Sequence, residues 1–502
     1  MSKRQEKSTS NADSLAGRTS IRNSSRRDFM RRSAIAGVAL TTPYIWTSQS
    51  SAEEDKNSKL TVACIGIGGS RGRYNRGRAV ADQAAKLGQM IAVCDCDQLH
   101  NEEYNANFDG KLNEYTDYRE LFDKETPDIV TIGTPDHWHV PIAIRALEAG
   151  CHVYCEKPLT LTIGEGRIIR DAAKKSGKVF QVGTQQRTEM NQLFMYATAL
   201  VRSGRLGDNV NAQVAIDPAP TGGPFETTDA PEGLDWDMWL GPAPKTGYCE
   251  KRRKEFRWFL EYSGGKMTDW GAHHIDIAQW ALGLDKTGPT KVGGEGKLTP
   301  IVPDDFNWAQ FLDGELALPN GFNAATEFHI NLDFAEGNRI SVNHHYENGK
   351  TSFGNGILFE GDKGRIFVNR GKLQGSIIKE MFGMDLVSGR KDGERFNNYS
   401  EAKANLDQAT KDEFRTAFKE LHKGKLSRKH MENFFDCIAD GGEPISDVNS
   451  HVNTMNSCHL CNVNLMLGRD LQWDSQTETF GSDEQANALL TRKSREGFEI
   501  VS

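Results

Sequence analysis

From Leu60 onward the apolar positions fall in short solid runs separated by longer stretches of mixed character, which is how strands buried on both faces alternate with helices. Residues 60–65 are a β-prone run and Gly66-Ile67-Gly68-Gly69-Ser70-Arg71-Gly72 is a glycine turn. A helical stretch through Leu87 leads to a second run, residues 90–94, which ends at Asp95. Together they predict one βαβ unit. The alternation continues with a strand at 129–132, a helix at 141–149, a strand at 151–155, a helix near 164–175 and a strand at 179–182. Strands alternating with helices imply a parallel sheet covered by helices on both faces.

After Gly183 the pattern changes. Residues 215–262 are rich in Gly, Pro and Trp with few periodic runs, and predict a long loop region over a surface or a cleft. Beyond Thr299, strand-like runs at 324–334, 339–345, 357–360 and 365–369 follow one another without helices between them. The turn Gly361-Asp362-Lys363-Gly364 predicts that the last two pair as a hairpin. Helices return at 430–439 and 453–469. The expected fold is α/β: an N-terminal Rossmann domain over 53–183 with a doubly wound parallel sheet, then a C-terminal α/β domain over 184–502 with a large, mostly antiparallel open sheet, serving substrate binding and oligomerisation.

The 502 residues are 37% apolar and 26% charged, the balance of a soluble globular protein of two or three domains. No run of 18 apolar residues occurs, so no membrane span is expected in the mature chain. Residues 1–52 hold nine Lys/Arg against three Asp/Glu, so the net charge of −8 becomes about −14 beyond them. So acidic a body argues against nucleic acid as a partner. The basic segment reads as an address label. Arg26-Arg27-Asp28-Phe29 precedes a weakly apolar stretch at 34–40 and small residues ending at Ala52, the order of a signal peptide, and the paired arginines are similar to a twin-arginine export signal. The twin-arginine machinery is therefore an expected partner and a periplasmic or otherwise exported location is expected, with a tightly held cofactor loaded before export. Nine cysteines in a protein folded in a reducing compartment are expected to be mostly free, buried thiols, and Cys458-His459-Leu460-Cys461 to be core packing on an apolar helix.

The chemistry gathers at strand ends. Gly66, Gly68, Gly69 and Gly72 permit a tight turn and close approach of backbone N–H groups to a pyrophosphate, and Asp95 closes the next strand where it can accept from ribose hydroxyls. That favours NAD; Arg71 and Arg73 leave NADP possible. Thr134-Pro135-Asp136-His137-Trp138-His139 follows the 129–132 strand at its carboxyl end, where doubly wound folds bind ligands, and Glu156-Lys157-Pro158 ends the strand after it. Further on, Asp269, His273, Asp276 and Trp280 share one face of a helix by spacing, with Ile275, Ala278 and Leu282 elsewhere. No spacing among His137, His139, His273 and His274 matches usual zinc ligands, and no metal is expected.

With Glu156-Lys157-Pro158 and the run Gly264-Gly265…Asp269-Trp270-Gly271-Ala272-His273-His274-Ile275-Asp276, the chain resembles the glucose–fructose oxidoreductase and inositol dehydrogenase (Gfo/Idh/MocA) family, sugar-active NAD(P) enzymes. The resemblance implies that a nicotinamide cofactor is held by Gly66, Gly68, Gly69, Arg71, Gly72, Asp95, Thr134, Pro135, His139, Glu156 and Lys157. It also implies that Lys157, Asp269, His273 and Asp276 are catalytic, with His273 as base and Lys157 polarising the reacting oxygen. Gln185 and Arg187 stand where members begin to contact substrate. The implied activity is hydride transfer between NAD(P) and a secondary alcohol of a sugar or polyol. The alternative is a glycosidase that retains its NAD and oxidises the sugar transiently. A homo-oligomer is expected.

Overall fold

The computed structural model describes residues 59–500 apart from 392 and 428; the twin-arginine segment lies outside the described residues. The first sheet is built from β1 (Thr61–Ile65), β2 (Gln89–Cys94), β3 (Asn113–Tyr115), β4 (Ile129–Ile132), β5 (His152–Glu156) and β6 (Phe180–Gly183). All pairs are parallel and the order is β3-β2-β1-β4-β5-β6. The crossovers are α1 (Arg76–Ala85), α2 (Gln98–Asn105), α3 (Tyr118–Lys124), α4 (His139–Glu148) and α5 (Ile163–Ser176). The solid apolar runs have their expected cause: all four residues of β4 are buried, because helices cover both faces of the sheet. Helix α5 starts where Thr162 Oγ1 accepts from Glu165 N–H while the Glu165 carboxylate accepts from Leu161 N–H, and it stops at Gly177 in the left-handed region.

Two elements absent from the sequence expectations follow, α6 (Leu193–Arg202) and β7 (Asn211–Ile216). Helix α6 has nine of its ten residues buried and so shows no polar face by which to read it. Residues 215–262 are the predicted loop region with short helical turns at Trp236–Leu240 and Glu250–Lys254. The signature helix is broken: Gly265–Asp269 is one short helix, Trp270 the joint, and α7 (Gly271–Leu282) a second, buried on every side except at Leu282.

The second sheet comprises β7, β8 (Lys291–Lys297), β9 (Glu327–Asp333), β10 (Arg339–Asn343), β13 (Asn355–Gly361), β14 (Gly364–Asn369), β15 (Lys372–Gln374), β16 (Leu386–Lys391), β17 (Glu394–Asn397) and β18 (Leu471–Gln472), with β11 (Tyr346–Asn348) and β12 (Thr351–Phe353) forming a separate hairpin. Its order is β17-β16-β15-β14-β13-β7-β10-β9-β8-β18, antiparallel except where β7 meets β10. Gly361 pairs with Gly364, so β13 and β14 form the predicted hairpin around Asp362-Lys363. Helices α8 (His430–Asp440) and α9 (Val448–Leu467) then return to the first sheet: Met431 and Phe434 join the core on one face, Val448 and Val452 the core on the other. The described residues thereby form one compact unit. All nine cysteines are free thiols, with Cys458 and Cys461 buried in α9. Among the described residues no helix is long and apolar enough to cross a membrane.

Candidate active site

A cavity of about 590 Å³ opens at the carboxyl ends of β1, β2, β4 and β5. Its floor is the glycine turn. Gly66 has φ +75°, and a Cβ there would stand 2.5 Å from the backbone N of Thr134. A Cβ at Gly77, inside α1, would lie 1.9 Å from the Gly66 carbonyl oxygen. The glycine that lets the first helix close on the first strand is therefore Gly77, with residues 70–75 looping out ahead of α1; sequence spacing assigned that place to Gly72. Gly66, Gly68 and Gly72 line the cavity, while Gly69 sits behind the turn, where a Cβ would meet Glu103 and His100.

Asp95 ends β2 at the cavity wall and accepts from Gly68 N–H (2.9 Å) and Asp97 N–H (3.0 Å). Burial alone would raise its carboxyl, but His100, with Nδ1 at 3.4 Å, and the two N–H groups outweigh burial and hold it below its ordinary value. Arg71 departs from its expected place. It donates to Glu232 O (2.8 Å) and Asp97 Oδ1 (3.4 Å) and does not line the cavity. Asp97 is wholly buried, capping α2 and paired with Arg253.

Thr134, Pro135, Asp136 and His139 form the wall above β4. The buried His139 ring lies between Pro158 O (2.6 Å from Nδ1) and Thr134 O (3.0 Å from Nε2), tying this turn to the Glu156-Lys157-Pro158 turn. Glu156 accepts from Arg76 Nε (2.9 Å) and Gln185 Nε2 (2.7 Å). Asp136 accepts from Ser263 Oγ at 2.5 Å, and burial, opposed by Arg257, pushes its carboxyl up to about 7.

Lys157 lines the cavity, its Nζ donating to Asp269 Oδ1 (2.7 Å) and to Asp269 O (2.9 Å). Arg257 Nε lies 3.2 Å from the same Oδ1. Burial would raise the Asp269 carboxyl, yet these two cations hold it far below the usual range. His273, 7% exposed, lines the same wall, and its Nδ1 has no hydrogen-bond partner. Burial, then the charges of Lys157 and Arg370, keep this imidazole neutral well below its ordinary pKa.

Asp276 does not join them, contrary to the helix-face expectation. Its Oδ1 and Oδ2 accept from Arg187 Nη2 (2.6 Å) and Nε (2.8 Å), both side chains are at most 1% exposed, and neither lines the cavity. His273 and Asp276 both lie in α7, but His273 stands in its first turn at the cavity wall, and one turn further the helix has entered the interior beside α9, where Thr454 also meets Asp276 (3.3 Å). Arg187, expected near substrate, is thus an interior tie that also donates to Ile445 O (2.7 Å). His274 points away from the cavity to Asn355 Oδ1 (2.9 Å) and Gln186 (3.3 Å). Sequence reasoning assigned no role to Tyr74, Arg76, Arg257 and Arg370, all of which line the cavity, and placed Asp136 at the ligand-binding strand end without a role. The clustered basic and aromatic residues of Arg252-Arg253-Lys254-Glu255-Phe256-Arg257-Trp258 were the available signal for Arg257; Arg370, in a hairpin loop, carried none.

Residues 60–184 match the model of an oxidoreductase family with an NAD-binding Rossmann fold, and residues 223–299 match that family's C-terminal α/β domain. D-glucoside 3-dehydrogenase of Escherichia coli (strain K12) is 33% identical over 141 residues, covering 26% of this chain and 39% of that protein. A glycosyl hydrolase family 109 protein of Shewanella putrefaciens is 28% identical over 215 residues, covering 39% and 46%. The chain thus spans less than half the length of these curated relatives. In fold it is similar to myo-inositol 2-dehydrogenase from Lactobacillus plantarum, with a TM-score of 0.51 and 19% identity over 83% of this chain and 99% of that one. Over residues 60–184 and 223–299 the chain is thus similar to the Gfo/Idh/MocA oxidoreductase family.

Proposed function

We propose that this protein is a nicotinamide-dependent oxidoreductase that moves a hydride between NAD and a secondary alcohol of a sugar or polyol. The observation that carries this reading is the 2.7 Å contact of Lys157 Nζ with Asp269 Oδ1 beside His273, in a cavity whose other end is the glycine turn and Asp95. The residues fit a dinucleotide. Gly68, at φ +68°, opens the turn toward the cavity, the start of α1 has no side-chain cap on its N–H groups, and Asp95 offers a carboxylate to ribose hydroxyls.

When bound, NAD supplies the hydride acceptor for the carbon being oxidised. The chain supplies the rest. His273, neutral through the physiological range and without a protein partner at Nδ1, takes the hydroxyl proton as the carbon loses its hydride, so that a carbonyl forms. Lys157 donates to the same oxygen and stabilises the charge that builds there. Asp269 holds Lys157 in place, and Glu156, Gln185 and Arg76 brace the turn that carries it. Releasing the bound nucleotide from purified protein with acid and identifying it by mass tests the cofactor half of the proposal. NAD or NADH is expected. No dinucleotide, together with no affinity for added NAD, would reject the proposal.

A second reading is favoured by the match to the family 109 glycosyl hydrolase. The same residues suit transient oxidation of a sugar, elimination of its glycosidic substituent and return of the hydride. Free NADH released in step with product separates the first reading from this one.

We also propose export by the twin-arginine route with the dinucleotide already bound, and assembly as a homo-oligomer. Nine free thiols accord with folding in a reducing compartment. A variant with Arg26→Lys and Arg27→Lys is expected to remain inside the cell, folded and loaded. Light scattering reads the assembly.

A further inference from the structure

At the reactive end of the cavity Lys157, Arg76 and Arg257 stand among the carboxyl groups of Asp269, Glu156, Glu189 and Asp136, and a fourth cation has no such partner. Lys157 and Arg257 both lean on one carboxylate, Asp269. Arg76 is matched by Glu156 at 2.9 Å, and Glu189, which also lines the cavity, stands near that pair. Arg370 is different. It stands in the turn between β14 and β15, lines the cavity, and makes no ion pair with a described carboxylate. Its Nε donates to Gln186 Oε1 (2.9 Å), its guanidinium carbon lies 4.4 Å from the centre of the Trp270 ring, and its two terminal nitrogens make no hydrogen bond to a described residue. Arg257 repeats the theme, with Nη1 buried and unpartnered and its guanidinium carbon 3.9 Å from the centre of the Tyr74 ring.

A half-buried guanidinium keeps its proton near neutral pH, and one whose terminal N–H groups open into the cavity can receive an anionic acceptor there. Trp270 adjoins Asp269 in the chain, and its ring centre is 5.8 Å from that of His273, which places Arg370 at the His273 end. The cofactor's pyrophosphate belongs at the glycine turn, so it leaves Arg370 without a partner. An aromatic under the guanidinium plane leaves its edges to meet a planar carboxylate with two parallel N–H donors.

We propose that the substrate is a sugar acid, an aldonate or uronate, whose carboxylate is received by Arg370 with Arg257 alongside, while Lys157 and His273 act on a neighbouring hydroxyl. This deepens the reading of the cavity as a sugar and NAD site and rests on it.

The test uses the full chain with NADH bound, and reads binding by calorimetry for three probes: glucose, glucuronate and glucose 6-phosphate, with the galactose series as a second set. Initial rates with NAD follow for each. Glucuronate or galacturonate is expected to bind about 10- to 100-fold tighter than the matched neutral sugar, as for a charge-assisted hydrogen-bonded pair. In Arg370→Gln that preference should fall to near unity, and Arg370→Lys should keep part of it. Thermal unfolding and NADH affinity establish that each variant is folded. Equal binding of acid and neutral sugars, preference for the phosphate, or an acid preference untouched in Arg370→Gln would each overturn the proposal. NADH binding and turnover of neutral sugars without acid preference would sink this inference alone, whereas failure to bind NADH at all would sink the reading beneath it.

Discussion

Lys157 and Asp269, 112 positions apart, meet at 2.7 Å across the mouth of the Rossmann sheet, so the end of β5 and the joint before α7 are one piece of machinery. On the proposed mechanism Lys157 acts on the reacting oxygen and Asp269 holds it in place. Lys157→Met should lower kcat by about 10² to 10³, as expected on losing a donor to a developing oxyanion, with NAD affinity changed by only a small factor. Steady-state kinetics with an NAD titration reads both.

His273 and His274 should separate chemistry from stability. His273→Ala is expected to cut turnover by about 10² to 10⁴ while the dinucleotide still binds. His274→Ala removes the partner of Asn355 Oδ1 and one partner of Gln186 Nε2 and should destabilise the fold by about 1–3 kcal/mol, with turnover per folded molecule kept. Because burial and nearby cations keep His273 deprotonated, its acid limb in kcat/KM should fall well below the ordinary histidine value of about 6.5. A His273-dependent limb at 6.5 or above would count against this electrostatic account.

Arg187 and Asp276 should behave as a structural pair. Removing one partner strands a fully buried charge, so Asp276→Ala is expected to cost about 3–5 kcal/mol in urea unfolding. Replacing both, with Arg187→Met and Asp276→Leu, should recover much of that loss. A folded Asp276→Ala protein of parental stability and no turnover would return Asp276 to the catalytic group.

Asp136 links stability to pH. Its carboxyl titrates at about 7 in the folded chain against an ordinary value of 3.8, so between these values the folded state holds a proton that the unfolded state has lost. Its contribution is therefore present below about 4 and is lost as pH rises toward about 7. Melting temperatures from pH 4 to pH 8 should show a shallower decline in Asp136→Asn than in the parent.

The first sheet could be read from the chain because its strands are buried on both faces: Ile129-Val130-Thr131-Ile132 is a solid run for that reason. The hairpin at Asp362-Lys363 was readable from its flanking glycines. Helix α6 and strand β7 were not. The helix is buried nearly all round, and the strand sits mid-sheet between β13 and β10 with Asn and Gln among its residues. In the site, Lys157, Asp269 and His273 came from motifs at strand ends and at a helix start. Asp276 misled because spacing gives a shared helix face but not how far along it the cavity reaches, and a turn beyond His273 that face is buried against Arg187. Arg257 and Arg370 were out of reach for a different reason: an arginine on a loop has no periodicity, and only the fold shows that it turns inward.

Hydride transfer to a nicotinamide can be followed in a single-turnover experiment. Protein loaded with NAD is mixed with a panel of sugars, polyols and sugar acids while NADH absorbance is followed, in the parent and in Lys157→Met. At least one member of the panel is expected to produce NADH in amounts approaching the enzyme concentration, and Lys157→Met to slow its appearance by about 10² or more. NAD bound tightly with no NADH formed from any substrate, or NADH formed equally fast in both proteins, would contradict this mechanism.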